Sequence, residues 1–198
     1  MKNQILNKKE AFKKLPFFIS YFISEPEYYD KNKTVFKTIK PNIVCFRDKE
    51  NTDLESLAKQ FLKDAREENI SKVLINTDIK LALDLGFDGV HLNSTQFDKI
   101  KYAKSKNLFV ISSCHTIDEI ELAYKNNADC ITYSPIFHKE NKGQPKGIDN
   151  LKKIIQTYQT DTFKIIALGG IISNNEVNQI KQTNAYGFAS IRYFYNQL

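Results

Sequence analysis

Two stretches of this chain carry residue types whose spacing could do chemistry. Lys164-Ile165-Ile166-Ala167-Leu168-Gly169-Gly170-Ile171 is an apolar run that ends in a glycine pair, and Ser173 then opens a polar, periodic segment. That order reads as a buried strand, a tight turn and a helix start. Glycine has no Cβ, so a pair of them after a strand lets backbone N–H groups approach an anion closely. The expectation is a phosphate cradle, weighed against a plain strand-to-helix turn. The second stretch is Phe46-Arg47-Asp48-Lys49, where two cations follow an apolar strand at once. At the strand's end they would sit together as an anion-holding pair, or else form a solvated charged turn.

Something must position these residues, and the hydrophobic rhythm says what. Strands are predicted over residues 17–24, 42–46, 72–76, 89–92, 108–113, 130–133, 164–168 and 187–191. Helices are predicted between them, over 28–39, 53–65, 79–85, 96–106, 117–125, 149–159 and 174–181. Thr116 and Glu119 have capping-box spacing. The joins Gly86-Phe87-Asp88-Gly89, Asn127-Ala128-Asp129-Cys130 and Asn184-Ala185-Tyr186-Gly187 echo one another at unequal intervals, which fits repeated βα units rather than a solenoid. Eight such units imply an α/β fold of the (β/α)8 TIM barrel type. A doubly wound sheet would fit with fewer strands. A single domain over 1–198 is expected, with residues 1–15 as an N-terminal extension that helps close the barrel's bottom.

Function in such a barrel belongs at the C-terminal ends of the strands. Read in order, those ends are Arg47 and Lys49, Asn76, His91, Ser113 and His115, the loop from Pro135 to Lys146, Gly169 and Gly170, and Arg192. Cations, amides, hydroxyls and backbone donors around one mouth suit a phosphorylated small molecule.

Composition narrows the classes. The chain has 198 residues, 41% hydrophobic and 26% charged, with a net charge of +6, which is ordinary globular usage. Its basic residues are scattered among acidic ones, with no aromatic-interleaved stripe, so no nucleic-acid partner is expected. Cys45, Cys114 and Cys130 lie inside strand-like runs without metal-ligand spacing and read as reduced core residues. No apolar run reaches membrane-spanning length and Met1-Lys2-Asn3-Gln4 does not begin a signal peptide, so a cytoplasmic protein is expected. Oligomeric state stays open, a homodimer among the options.

Taken together, Phe46-Arg47-Asp48-Lys49, Asn76, Gly89-Val90-His91-Leu92, Ser113-Cys114-His115-Thr116, Ser134-Pro135-Ile136-Phe137, Lys142 and Ala167-Leu168-Gly169-Gly170-Ile171 resemble the thiamine phosphate synthase/TenI family in order and spacing, from about residue 40 to 192. The resemblance implies a (β/α)8 barrel of thiamine biosynthesis. Its synthases join a pyrimidine methyl diphosphate to thiazole phosphate and release diphosphate. Its TenI-like members bind thiazole phosphate and aromatise a carboxylated precursor by moving a proton. By position, Arg47, Lys49 and Asn76 would hold the pyrimidine and its diphosphate, and Ser113 and Lys142 would add diphosphate contacts. Gly169 and Gly170, with the backbone at Ile191 and Arg192, would cradle the thiazole phosphate.

The departures from that pattern are as informative. Synthases carry an Asp directly after the Asn, where this chain has Thr77, and a second Asp where it reads Asn93-Ser94-Thr95-Gln96. Those carboxylates hold Mg²⁺, a hard cation that Thr and Gln serve poorly. No resident cofactor or metal is therefore expected, Mg²⁺ entering only if the chain is a synthase with a site rebuilt around Asp78 or Asp98. The TenI-like catalytic His falls at Pro135, which cannot transfer a proton. His138, three residues on, is the candidate carrier, since imidazole titrates near neutral pH. His91 and His115 read as structural hydrogen-bonding groups. A third reading is a non-enzymatic binder of thiazole or thiamine phosphate.

Overall fold

A computed structural model describes residues 12, 15–138 and 143–198. Eight strands close into a parallel barrel in sequence order: β1 Ile19–Ile23, β2 Ile43–Phe46, β3 Lys72–Asn76, β4 Gly89–Leu92, β5 Phe109–Cys114, β6 Cys130–Tyr133, β7 Lys164–Leu168 and β8 Gly187–Ser190. Between them run α1 Asn32–Thr38, α2 Leu54–Glu67, α3 Ile79–Leu85, α4 Ile100–Ser105, α5 Ile117–Lys125, α6 Gly147–Tyr158 and α7 Asn174–Lys181, with the single-turn α8 Arg192–Tyr195 after β8. The (β/α)8 expectation is the fold observed. β8 pairs with β1 through Ile19↔Gly187 and Tyr21↔Ala189, which closes the circle.

Some boundaries differ from the sequence reading, each for a local reason. The segment read as one helix over 28–39 begins as a 3₁₀ helix, Pro26–Lys31, and becomes α-helical only at Asn32. Residues 96–106 likewise open with a 3₁₀ turn, Phe97–Lys99. α6 starts at Gly147 rather than 149 because the amides of Lys146 and Gly147 are drawn back onto the carbonyls of Pro135 and Ile136. β8 stops at Ser190, so Ile191 caps the final turn instead of ending the strand.

The helix starts follow ordinary capping chemistry. Asp53 and Asp78 accept from Ser56 N–H and Leu81 N–H, and Thr116 with Glu119 and Ser173 with Glu176 close reciprocal capping boxes. The helix ends explain the echo in the sequence. Asn69, Gly86, Asn107 and Asn127 all take a left-handed conformation. The next residue's N–H then reaches back to the helix: Ile70 to Ala65, Phe87 to Ala82, Leu108 to Ala103 and Ala128 to Ala123. This is the Schellman closure. The residue after it repeats a second device. Asp88 accepts from Val73 N–H at 2.6 Å and pairs with Arg66 at 2.8 Å. Asp129 accepts from Val110 N–H at 2.8 Å and pairs with Lys104 at 2.6 Å. Each carboxylate thus ties a helix end to the neighbouring strand at the barrel's bottom.

Two cores result from the period-2 alternation of the strands. Val44, Ile75, Val90, Val110, Ile131 and Ile165 face the helices. Tyr21, Cys45, Leu74, Ile111, Cys130 and Ile166 fill the barrel. All three cysteines are free and buried. The N-terminal extension falls mostly outside the described residues, but Phe12 packs edge-on against Phe109 and Tyr186, each at 5.6 Å, at the bottom. No helix among the described residues is long and apolar enough to cross a membrane.

Candidate active site

The strand ends place the expected residues on one rim. Arg47 and Lys49 follow β2, Asn76 ends β3, Ser113 lies near the end of β5, His138 follows β6, Gly169 and Gly170 follow β7, and Ile191 and Arg192 follow β8. Lys142 lies outside the described residues.

Gly169 and Gly170 have φ of +98° and +71°, where a side chain is strained. They are also closely packed. A Cβ on Gly169 would lie 2.8 Å from Pro135 Cα, and one on Gly170 would lie 2.6 Å from the His138 carbonyl oxygen. The chain after β6 lies along this turn, with Ile136 N–H donating to Leu168 O and Phe137 N–H to Gly169 O, both at 3.0 Å. The glycine pair therefore serves a close backbone approach between two loops. Among the described residues, no backbone acceptor engages the N–H groups of Gly169, Gly170 or Ile191. His138 is exposed beside this turn.

Across the mouth, Arg47 is held from below. Its N–H donates to Ser24 Oγ at 3.0 Å, and its guanidinium stands 3.7 Å from Glu25. Tyr29 O–H donates to Asp48 Oδ2 at 2.8 Å and lies 3.1 Å from Arg47 O. Burial works to raise the Asp48 carboxyl, but donors from Glu50, Asn51 and Tyr29 outweigh it and hold the group down at about 2. Asp48 is thus an anchor for the loop. Lys49 is exposed.

His91 stands inside the barrel, beneath the rim, 3% exposed. Its Nδ1 is 2.8 Å from Tyr21 Oη and its Nε2 is 3.0 Å from Ser113 Oγ. Burial, with Arg47 nearby adding to it, pushes the imidazole down to about 4, so it is neutral. The hydrogen bonds expected of His91 are made by both ring nitrogens. His115 likewise bonds Ser134 O and Oγ, both at 3.1 Å, through Nδ1. Tyr21 was the residue that periodicity hid: its ring reads as core, and only the fold shows its hydroxyl reaching across the barrel.

The β3–β4 rim departs most from the family pattern. Asn76 Nδ2 donates to His91 O at 3.0 Å, and Thr77 N–H donates to the same carbonyl at 2.9 Å. Thr77 has φ of +64°, an outlier for a β-branched residue. Gln96 Nε2 donates to Thr77 O at 3.1 Å, while its Oε1 accepts from Asn93 N–H at 3.2 Å. Asp78 Oδ1 caps α3, and Asp98 is exposed on the 3₁₀ turn. Both carboxylates line an outer groove of about 660 Å³ with Lys80, Lys99 and Tyr102. Mg²⁺ asks for several hard anionic oxygens in octahedral array. The residues at the family's metal positions supply an amide committed to Thr77 O and Asn93 N–H, and a neutral hydroxyl, and they do not fit it. No group of three or more His, Cys, Asp or Glu placed to hold a metal occurs among the described residues.

Fold and rim together define a small (β/α)8 barrel of the class that carries its chemistry at the strand C-termini. The family model described as thiamine monophosphate synthase, TMP-TENI, matches residues 20–194, and the chain belongs to this family of thiamine biosynthesis. A relative from Aquifex aeolicus (strain VF5) that carries a thiamine-phosphate synthase name is 30% identical over 183 residues, covering 88% of this chain and 96% of its own length. The thiamine-phosphate synthase of Lactococcus lactis subsp. lactis (strain IL1403) is 28% identical over 211 residues, covering 96% and 90%. Among solved structures, a thiamine phosphate pyrophosphorylase from Pyrococcus furiosus superposes with a TM-score of 0.74 at 18% identity, over 96% of this chain and 93% of that one. That likeness bears on the fold.

Proposed function

We propose that this protein binds thiazole phosphate and acts on its carboxylated, unaromatised precursor as a TenI-like tautomerase. The phosphate sits on the N–H groups of Gly169 and Gly170, with the backbone of Ile191 and Arg192 completing the cradle. The observation that carries this reading is the pairing of two features on one rim. Among the described residues no backbone acceptor engages the N–H groups of the twin-glycine turn, while the family's carboxylate positions hold Thr77 and Gln96, with Gln96 Nε2 bonded to Thr77 O. Anion binding by backbone amides needs no metal.

Arg47, Lys49, Asn76 and Ser113 form a second arc that takes the carboxylate of the unaromatised precursor, and the family resemblance alone adds Lys142, which lies outside the described residues. His138, beside the cradle, takes a proton from one ring position and returns it at another, with no net change in protons. His138→Ala is then expected to abolish tautomerisation and to leave thiazole phosphate affinity within about twofold, the separation expected for general acid–base chemistry.

A synthase reading has its own support in the relatives of nearly full coverage that carry that name. In it the second arc takes the diphosphate of the pyrimidine partner. Incubation with both substrates and Mg²⁺ separates the two. Diphosphate release supports the synthase. Proton exchange into the carboxylated thiazole without diphosphate release supports the tautomerase. Tight thiazole phosphate binding with neither reaction marks a binding protein.

A further inference from the structure

The second arc contains a buried hydrogen-bond chain. Tyr21 is fully buried at the barrel's centre and His91 nearly so, while Ser113 is half-buried at the top of β5. The contacts run upward: Tyr21 Oη to His91 Nδ1 at 2.8 Å, then His91 Nε2 to Ser113 Oγ at 3.0 Å, with Thr132 Oγ1 further away at 3.4 Å.

Burial raises the Tyr21 phenol well above its ordinary range, so it keeps its proton and can donate. The neighbouring Cys45 thiol also lies against this hydroxyl and reaches Phe46 O; the arrangement proposed here gives the Tyr21 proton to His91 Nδ1, 2.8 Å away. An imidazole that accepts at Nδ1 and is neutral must carry its hydrogen on Nε2. Nε2–H can only donate, and Ser113 Oγ receives it. A serine oxygen that accepts from below then presents its own hydrogen to the mouth. The opposite tautomer would turn the Ser113 hydrogen down to Nε2 and offer an anion only lone pairs.

We propose that Tyr21 and His91 are positioning residues that hold the Ser113 hydroxyl as a hydrogen-bond donor toward an anionic group bound beside Arg47. This rests on reading the second arc as an anion site. Of these three residues only Ser113 touches the bound anion, and the two buried residues act through it.

The test uses the full chain, inorganic diphosphate and thiazole phosphate as calorimetric probes, and Tyr21→Phe, which keeps the core filled. Tyr21→Phe is expected to weaken diphosphate binding about tenfold, as for a lost alignment of a hydrogen bond to a charged group, and to leave thiazole phosphate binding unchanged. In a Ser113→Ala background, Tyr21→Phe is expected to have no further effect. In ¹⁵N-histidine spectra, wild-type His91 is expected as the Nε2–H tautomer. Wild-type affinity in Tyr21→Phe, effects that multiply in the double variant, or an Nδ1–H tautomer each overturn the relay. Absence of diphosphate binding by the wild type overturns the anion site itself, and the relay with it. His91→Gln, which keeps a donor near the Nε2 position, should recover diphosphate binding relative to His91→Leu. Equal loss in both counts against the relay.

Discussion

The two sides of the mouth are built differently. Beside β7, the device is backbone: Gly169 and Gly170 at positive φ, backed by the carbonyl of His138 and the Cα of Pro135. Beside β3 and β4, the family's device is carboxylate and metal, and here Thr77 and Gln96 have replaced it with a closed hydrogen-bonded loop. A backbone cradle tolerates only glycine, because two chains pass within contact distance. A side-chain cradle can be dismantled one residue at a time while the barrel stands.

The strongest way to break this contrast is Gly170→Ala. The left-handed backbone costs an alanine about 1–2 kcal/mol and the clash with the His138 carbonyl adds a similar amount, so about 3 kcal/mol of stability is expected to go. A denaturant midpoint reads it, with thiazole phosphate affinity falling alongside.

Next in size is a pH effect from the β4 side. His91 titrates near 6.5 when unfolded and is pushed down to about 4 when buried. Between those values the unfolded chain takes up a proton that the folded chain refuses. Stability is therefore full above pH 6.5 and falls with falling pH, by about 3 kcal/mol in all. His91→Gln should flatten that part of the curve. A slope that survives the substitution would assign it to other groups.

Thr77→Asn sharpens the contrast in the other direction. Asn tolerates the left-handed region that strains a β-branched residue, so a gain of about 1 kcal/mol is expected in the same denaturation assay. A loss would mean that the Thr77 side chain makes a contact worth more than its strain.

The smallest effect on stability belongs to His138→Ala. The side chain is exposed, so a change within about 0.5 kcal/mol is expected, together with at least about 100-fold loss of tautomerase turnover. Turnover unchanged in this variant would remove His138 from the chemistry.

The fold was largely legible because strand and helix periods alternate cleanly, and because Asn and Gly mark the left-handed helix ends one unit after another. The rim was legible for the same reason: strand ends name the residues that meet there. What stayed hidden depends on geometry that spacing does not encode. Tyr21 reads as one more aromatic core residue until closure of the barrel carries its hydroxyl to His91, 70 residues away. Asp78 looked available for a metal, yet a carboxylate just before a helix is drawn to the free N–H of Leu81. The glycine pair was read as a ligand feature, whereas the structure adds a second cause in the chain that packs against it.

The most direct test is a crystal structure with thiazole phosphate bound in the presence of a chelator. Phosphate oxygens within hydrogen-bond distance of the Gly169 and Gly170 N–H groups, with no metal beside Thr77 or Gln96, are the result predicted. Phosphate bound elsewhere on the barrel, or bound only once Mg²⁺ is restored, would contradict it.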